Sequence, residues 1–287
     1  MKLALIGFGY VAKATARALA GRADIRASTR GEDRFEQIRA AGARPVLADP
    51  ATPEGADALN ALFAWASHVI VSVPPGEAGD PVLAALRPDT LSGQLIGYLS
   101  TTGVYGDRQG GWAFEWDAPA PRQRRSVLRR EAEAGWQAHG ATIFRLSGIY
   151  GPGRSPLTRV QDDTATRIIK PGHVFSRIHT DDIAAALLLA MERDVRGEVF
   201  NLADDRPEEQ SVVIEAAARM LDLPVPPAQD FDEAQMSPMQ ASFYAECRRV
   251  SNARAKAVLG WRLRYPTWRE GLAALIDEEK ASTAPAP

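Results

Sequence analysis

Short apolar runs alternate with helix-like segments through the first half of the chain. Runs with strand character cover residues 2–6, 25–29, 45–48, 68–73, 94–99 and 142–146. Segments with helical spacing or composition lie between them, at 13–20, 33–41, 56–65, 82–86 and 122–139. The 68–73 run is almost wholly apolar, as expected of a strand covered on both faces. The alternation predicts an α/β fold, a doubly wound parallel sheet with helices on both faces.

The pattern is looser after residue 148. Residues 158–169 are polar with weak periodicity, a short strand is predicted at 174–178 and another at 198–202, and 225–245 is expected to be irregular. Helices are predicted at 183–192, 211–221, 251–259 and 267–280, the first capped by the run Thr180-Asp181-Asp182. Trp261 and Trp268 are expected in the core, and residues 281–287 as a frayed tail. This half should cover the strand ends and form one wall of a cleft.

The first strand leads directly into a glycine turn and an Ala-rich helix. Gly7 permits the tight turn, Gly9 leaves room for a pyrophosphate, and Ala12 lets the helix pack closely on the strand. The free N–H groups at the helix start favour an anion. We therefore expect residues 7–11 to bind a dinucleotide, with Phe8, Tyr10 and Val11 completing the turn. The alternatives are an ordinary tight turn, and a signal peptide, which Gly7, Lys13 and Arg17 argue against.

Ligands of such sheets lie beyond the carboxyl ends of the strands. Those ends mark further candidate residues for the cofactor: Thr29, Arg30, Asp49, Ser72, Val73, Pro74 and Ser100.

Composition excludes several classes of protein. The chain has 287 residues and a net charge of −2, so no basic surface argues for nucleic acid. The single cysteine, Cys247, allows no disulfide framework and fits a reducing compartment such as the cytoplasm. The four histidines lack metal-ligand spacing, so no metal is expected. No apolar run approaches a membrane span. A small-molecule substrate is the expected partner, and a homodimer is left open.

Three further motifs resemble one superfamily. They are Ser100-Thr-Thr-Gly-Val-Tyr-Gly106, Gly148-Ile-Tyr-Gly-Pro-Gly153 and Arg177-Ile-His-Thr-Asp-Asp182. With the glycine turn, they resemble the extended short-chain dehydrogenase/reductase superfamily, the NAD-dependent epimerase/dehydratase group, over nearly the whole chain. The resemblance implies a Rossmann domain at residues 1–153 and a smaller, mainly substrate-binding domain at 154–287. The two are interleaved, because about 174–204 should return to the Rossmann sheet.

The resemblance also shows what this chain lacks. The family's catalytic Ser or Thr falls on Thr101, which would polarise a substrate oxygen. The family's Tyr-x-x-x-Lys should lie near residues 122–133, where there is neither tyrosine nor lysine. Alignment on Glu133 places Arg125 and Arg129 there. Arginine stays protonated, so Arg125 cannot be a general base, whereas Arg129 could hold a ribose hydroxyl or a phosphate. A solvated helix face is the alternative for both.

The end of the second strand bears on the choice of cofactor. An acidic residue there would bind the ribose hydroxyls of NAD, whereas Thr29 and Arg30 suit a 2′-phosphate. We therefore favour NADP, with NAD as the alternative, and a surface role for Arg30 is also open. Asp49 resembles the family aspartate beside the adenine ring. Residues 72–75 would pass the adenosine ribose.

Two groups could supply a displaced proton donor. Tyr105 lies near a strand end, although packing is the favoured role for it, and His179 has a pKa near neutrality by residue type. A structural hydrogen bond is the favoured role of His179. Arg177 could face the substrate, and Phe175 stands where sugar-nucleotide enzymes of the family carry an arginine.

Two classes of function remain. One is an atypical oxidoreductase or epimerase that uses NADP(H) without the Tyr-x-x-x-Lys pair. The other is a catalytically silent NADP(H)-binding protein, a redox sensor or assembly factor. The sequence leaves open whether the chain is an enzyme.

Overall fold

The computed structural model describes residues 1–283, in which strands and helices alternate from the start of the chain. The strands are β1 (Lys2–Ile6), β2 (Asp24–Thr29), β3 (Arg44–Leu47), β4 (His68–Val71), β5 (Leu95–Thr101), β6 (Trp112–Ala113), β7 (Thr142–Leu146), β8 (Gly148–Tyr150), β9 (Arg167–Ile169), β10 (Val174–Phe175), β11 (Arg177–His179), β12 (Val199–Leu202), β13 (Glu208–Glu209), β14 (Ala228–Asp230) and β15 (Arg249–Val250). The helices are α1 (Tyr10–Ala18), α2 (Phe35–Ala40), α3 (Pro53–Trp65), α4 (Pro81–Ala85), α5 (Arg124–Ala138), α6 (Pro156–Gln161), α7 (Thr180–Glu192), α8 (Gln210–Met220), α9 (Pro238–Tyr244), α10 (Ala253–Leu259) and α11 (Trp268–Thr283).

Seven of the strands form one parallel sheet, in the order β12-β7-β5-β4-β1-β2-β3. The order reverses between β1 and β4, and the glycine turn follows β1 at this point. The crevice at such a reversal is the ordinary ligand site of doubly wound sheets. The predicted α/β, Rossmann-type sheet is thus confirmed.

Each face of the sheet has its own hydrophobic core. Leu3 and Leu5 of β1 pack with α1, α7 and α10 on one face, while Ala4 and Ile6 pack with α3, α4 and α5 on the other. This alternation follows from the period of two residues along a strand. Because both faces are covered, the strands need apolar residues at nearly every position, which explains the continuous runs in the sequence.

A third hydrophobic cluster lies apart from the sheet. It joins α6, α8 and α11 around Leu157, Ile214 and Trp268, all of which are completely buried. Trp261 is also buried, against α7 and α10. Both tryptophans are therefore core residues, as predicted.

The chain returns to the main sheet at β12, which pairs with β7 as expected. The strand predicted at 174–178 is instead two short strands with different partners: β10 pairs with β13, and β11 pairs with β8. Ser176 separates them, and its hydroxyl accepts a hydrogen bond from the Val250 amide at 3.1 Å. Neither strand joins the main sheet. The two-domain division itself remains a prediction.

Residues 225–245 are more regular than predicted. They contain β14, which pairs with β9, and the short helix α9. Ser237 and Gln240 form a reciprocal capping box at the start of α9, and Pro238 occupies the first turn. Ser-x-x-Gln with proline after the serine is a helix-start pattern, so the sequence did contain a signal for this helix.

Two further expectations need correction. The N-cap of α7 is His179 rather than Thr180, because the His179 Nδ1 accepts a hydrogen bond from the Asp181 amide. The predicted frayed tail at 281–287 is helical as far as Thr283, and the rest of it lies outside the described residues. In residues 1–283 no helix is both long and apolar enough to span a membrane.

Candidate functional site

Two serine side chains hydrogen-bond to the backbone of the glycine turn. Gly7 has a φ of +84°, and a Cβ there would lie 2.9 Å from the Cγ2 of Val73, so only glycine fits. The Gly7 amide donates to the Ser28 hydroxyl at 2.8 Å. The Ser72 hydroxyl donates to the carbonyl oxygens of Ile6 and Gly7. Ser72 and Val73 therefore shape the turn.

Space for a dinucleotide lies on the other side of the turn. A Cβ at Gly9 would meet no atom within 4 Å, so this position faces open space at the start of α1. Phe8, Val11 and Ala12 are buried, so their side chains pack into the protein core. The residues present therefore fit the pyrophosphate of a dinucleotide beside the N-terminus of α1.

Tyr10 joins this turn to the second half of the chain. Its hydroxyl donates to the Pro152 carbonyl at 3.1 Å, and the Arg154 guanidinium lies over its ring. Burial raises the pKa of Tyr10 to about 12, so the hydroxyl is a hydrogen-bond donor and not a proton source near neutral pH.

The carboxyl end of β2 carries two arginines. Arg30 is exposed and has no hydrogen-bond or ion-pair partner among residues 1–283. Arg34, which the sequence analysis missed, donates to the Phe8 carbonyl at 2.9 Å and so lies against the glycine turn. Arg34 lies in a short 3-10 turn, residues Glu32–Arg34, which follows β2. The Thr29 hydroxyl hydrogen-bonds to Gly31.

Asp49 and Pro74 complete the strand ends on this side. One carboxylate oxygen of Asp49 accepts the Ala51 amide at 3.0 Å, a turn at the end of β3. The residue is half-buried, so its second oxygen remains for a ligand. Pro74 is exposed, three residues after the end of β4.

A cavity of about 790 Å³ opens at the carboxyl end of β5. Thr101 lines it, and the Thr101 Oγ1 accepts the Gly103 amide at 3.1 Å, which leaves the hydroxyl proton to be donated. Ser100 precedes it, and the buried Ser100 hydroxyl has no partner within residues 1–283. The cavity extends from β5 and α5 to the loop around Arg154 and to α9.

Helix α5 presents both predicted arginines to this cavity. Arg125 donates to the Met239 sulfur at 3.3 Å and to the Ser242 hydroxyl at 3.1 Å, so it reaches across to α9. Arg129 donates to the Tyr98 hydroxyl at 3.2 Å and to the Leu99 carbonyl at 3.0 Å. Both side chains thus contact other parts of the protein, although Arg125 is exposed and Arg129 half-buried.

Tyr105 is not in the cavity. It is fully buried, and its hydroxyl donates to the Asn201 side chain and accepts from Arg145. Arg145 in turn forms a buried ion pair with Glu133 at 2.8 Å. Burial raises the pKa of Tyr105. This position supports the packing role that was favoured for Tyr105, rather than proton donation.

His179 is also outside the cavity. It is 1% exposed, between the rings of Tyr150 and Tyr265. Burial lowers its pKa to about 4, so the imidazole is neutral near pH 7 and caps α7. This position supports the structural hydrogen bond that was the favoured role of His179, rather than the displaced acid/base role.

Half of the arginines that line the cavity were not foreseen. Arg154, Arg159 and Arg248 line it together with the predicted Arg125, Arg129 and Arg177. Arg177 is buried, and its guanidinium donates to two backbone carbonyls and to the Gln210 side chain. These residues lie far apart in the sequence, so their common location follows from the fold alone. Within the described part of the chain, no group of His, Cys, Asp and Glu could hold a metal.

Curated relatives are distant in sequence. Protein YeeZ of Escherichia coli K12 is 25% identical over 240 residues, covering 78% of this chain and 85% of that protein. The 3-diazoavenalumate denitrifying reductase of a Streptomyces species is 27% identical over 172 residues, 54% of this chain and 55% of that one. No family model matches the chain.

A solved structure gives a nearer match. A conserved protein of unknown function from Silicibacter pomeroyi is 42% identical, covers 96% of this chain and 98% of its own, and superposes with a TM-score of 0.86. The chain belongs to the family of this conserved protein.

More distant structures define the fold of that family. The UDP-glucose 4-epimerase of Thermus thermophilus, solved with NAD, is 18% identical, with 99% and 100% of the two chains covered and a TM-score of 0.77. A nucleoside-diphosphate-sugar epimerase from Pseudomonas aeruginosa is 17% identical, with 99% and 98% covered and a TM-score of 0.78. The fold is thus that of the NAD-dependent epimerase/dehydratase group of extended short-chain dehydrogenases/reductases, as the sequence motifs indicated.

Proposed function

We propose that this protein binds NADP(H), in preference to NAD(H), over the glycine turn and acts as an atypical oxidoreductase or epimerase on a small molecule. The observation that carries the proposal is the open space above Gly9, at the same carboxyl edge of the sheet as Thr101 and its cavity. When bound, a nicotinamide dinucleotide supplies hydride transfer. The distant epimerase solved with NAD and the reductase named above support this class of reaction.

The chain's own residues define what is unusual about the chemistry. The Thr101 hydroxyl can donate to a substrate oxygen, since its acceptor side already receives the Gly103 amide. Arg125 occupies the family position of the tyrosine but cannot exchange its proton. It can only orient or stabilise negative charge. Without a proton donor on α5, a reaction here would take its proton from another group of the cavity, from the substrate or from water.

Arg30 and Arg34 support the preference for NADP(H). Arg30 is exposed without a partner at the end of β2, and Arg34 lies against the Phe8 carbonyl. Guanidinium groups are suited to phosphate, whereas NAD-specific sites place a carboxylate at this strand end. The cytoplasm, where the single Cys247 would stay reduced, is the proposed compartment.

A second candidate is a catalytically silent NADP(H)-binding protein. The observation that favours it is the absence of a proton donor on α5, where the cavity wall carries Arg125 and Arg129. Such a protein would bind the cofactor and report its redox state without turnover.

Titration calorimetry with NADPH and NADH tests the proposal. One charge-assisted contact contributes about 1.5–3 kcal/mol, so NADPH should bind roughly tenfold tighter or more. Arg30→Ala should remove most of that preference, and Gly9→Val should abolish binding of both cofactors in a folded protein. Arg44→Ala is the matched control, because Arg44 is exposed at the opposite, amino end of β3.

Several results would refute it. Equal affinities for the two cofactors would remove the NADP preference. Undiminished binding by folded Gly9→Val would place the cofactor elsewhere. A screen of carbonyl and alcohol substrates then separates the two candidates, since only the enzyme oxidises NADPH when substrate is present.

A further inference from the structure

We propose that the cavity beside Thr101 binds a small organic anion with a flat apolar part, and that its unpaired arginines hold the negative group. The inference rests on the proposed function only in treating this cavity as the substrate site. It adds the chemical class of the substrate, which the fold does not specify.

The charge of the cavity wall is strongly positive. Its lining includes six arginines and, among the described residues, one carboxylate, that of Glu246. The Glu246 carboxylate already forms an ion pair with Arg248 at 2.8 Å. The whole chain has a net charge of −2, so this concentration of positive charge is local and not a consequence of composition.

The other five arginines have no carboxylate within ion-pair distance in residues 1–283: Arg125, Arg129, Arg154, Arg159 and Arg177. Arg125, Arg129 and Arg177 donate only to neutral acceptors or sulfur. Arg159 makes no side-chain hydrogen bond to the described residues. Several positive charges around one cavity repel each other, and an anion relieves that repulsion.

Arginine also suits the anion geometrically. Its planar guanidinium offers paired N–H donors that match the oxygens of a carboxylate or a phosphate. Arg159 is half-buried in α6 and retains all of its donors. Arg125 retains Nε, since its two terminal nitrogens are occupied by α9. These two side chains come from different walls of the cavity and are our main candidates.

The remaining wall suits a flat apolar group. Phe175, Phe243 and Tyr244 line the cavity with Ile168 and Val174. The Arg125 guanidinium lies 4.7 Å from the ring centre of Phe243, so charge and aromatic surface are adjacent. A ligand with an aromatic ring next to its acidic group would contact both.

Calorimetry with three matched probes tests the inference: benzoate, the neutral benzamide, and phenyl phosphate. Each is titrated to roughly 10 mM at low salt, because small ligands bind weakly and salt screens charge. We expect at least one anion to bind about tenfold tighter than benzamide. The relative affinities of benzoate and phenyl phosphate show whether the acidic group of the natural ligand is a carboxylate or a phosphate.

Arginine variants locate the binding group. Arg159→Gln and Arg125→Gln should each weaken the preferred anion about fivefold to tenfold and leave benzamide unchanged. Arg219→Gln is the control, because Arg219 is an exposed residue of α8, paired with Glu215. Arg159 has no partner to lose, so its variant should fold normally.

Benzamide as tight as both anions, or no binding of any probe, overturns the inference. So does unchanged anion affinity in both cavity variants. The titrations are run without dinucleotide, so they are independent of the cofactor test. Anion binding without NADPH binding would refute the proposed function alone, and the converse would refute only this inference.

Discussion

At the scale of single residues, His179 shows how burial decides the role of a titratable group. Its Nδ1 caps α7, and its ring lies between Tyr150 and Tyr265 with 1% exposure. The charged groups that face it are Asp181, at 3.9 Å, and Arg264, and they oppose one another. Burial is the larger effect and lowers the pKa of His179 to about 4. The same residue type at the cavity would have been a candidate acid.

We expect this histidine to make the fold sensitive to acid. Its ordinary pKa of 6.5 falls to about 4 in the folded protein, so the stability it contributes is complete above pH 6.5 and is lost as the pH falls towards 4. His179→Asn keeps a cap acceptor and removes the titration. Urea unfolding from pH 7 to 4 should show the wild type losing on the order of 1–3 kcal/mol relative to the variant.

The quantity to compare is the difference in unfolding free energy between the wild type and His179→Asn at each pH. Burial raises the pKa of Asp182 to about 6 and that of Asp204 to about 7. Because of these two carboxyl groups, the free energy of unfolding falls as the pH rises. They are present in both proteins and cancel. His139→Asn, at an exposed histidine, is the control. If the unfolding free energies of the wild type and His179→Asn changed in parallel with pH, the prediction would be contradicted.

The sequence predicted some residues of the site well and missed others. Gly7 and Gly9 were found because a turn and an open approach restrict the residue type locally. Arg159 and Arg248 were missed, since nothing near them in the sequence marks a ligand site. They reach the cavity only when α6 and β15 have been placed by the fold.

At the scale of elements, α9 forms part of the cavity wall and is linked by hydrogen bonds to the start of α5. Arg125 donates to Met239 and Ser242, and the Gln123 side chain donates to the Ser242 carbonyl at 2.7 Å. Two large side chains of this helix, Met239 and Phe243, are largely exposed. Tyr244 anchors the end of α9 in an aromatic cluster, so the polar contacts should matter most for the exposed first part of the helix.

We expect Arg125→Ala to loosen α9 locally. Loss of a hydrogen bond costs about 1 kcal/mol, so amide exchange in residues 238–244 should rise about fivefold. Hydrogen exchange by mass spectrometry measures this. Arg124→Ala is the control, because the adjacent Arg124 pairs with Glu77 instead. Equal exchange in both variants would show that Arg125 does not hold the helix.

Sequence patterns located the elements of the main sheet but not those of the cavity wall. The sheet strands are long apolar runs buried on both faces, so each carries its own signal. By contrast, β8, β10 and β11 have two or three residues each and are fixed by pairing with distant segments. The α9 capping box was visible in the sequence, but it lies in a polar stretch without a long apolar face.

At the scale of the whole molecule, the cavity lies where the sheet meets the second half of the chain. Thr101, at the end of β5, and Arg125 and Arg129, on α5, form the wall on the Rossmann side. The opposite wall comes from α6, α9 and the strands between them. The general position of this cleft was predicted from the strand ends. Its charge was predicted only in part, since that depends on which side chains the two halves direct into it.

The last prediction concerns whether this arrangement still supports catalysis. We expect NADPH oxidation with a panel of carbonyl substrates to be absent or very slow in the natural protein. A positioned acid contributes about 10²–10⁴-fold, and the guanidinium of Arg125 cannot provide one. Tyr105 and His179 lie outside the cavity and cannot substitute for it. Arg125→Tyr combined with Arg129→Lys restores the family pair on α5, beside a Thr101 that keeps its position.

If the scaffold has kept its geometry for hydride transfer, the double variant should gain at least tenfold in rate, with the gain lost again in Thr101→Ala. Arg122→Tyr with Arg130→Lys, which alters one position just before α5 and one position on it, both outside the cavity lining, is the matched control. Turnover of the natural protein at typical dehydrogenase rates, about 1–10³ per second, would show that a proton donor exists that these residues do not include. No gain in a double variant that still binds NADPH would favour the silent binding protein, because the acid would then not be the only part of the machinery that the chain lacks.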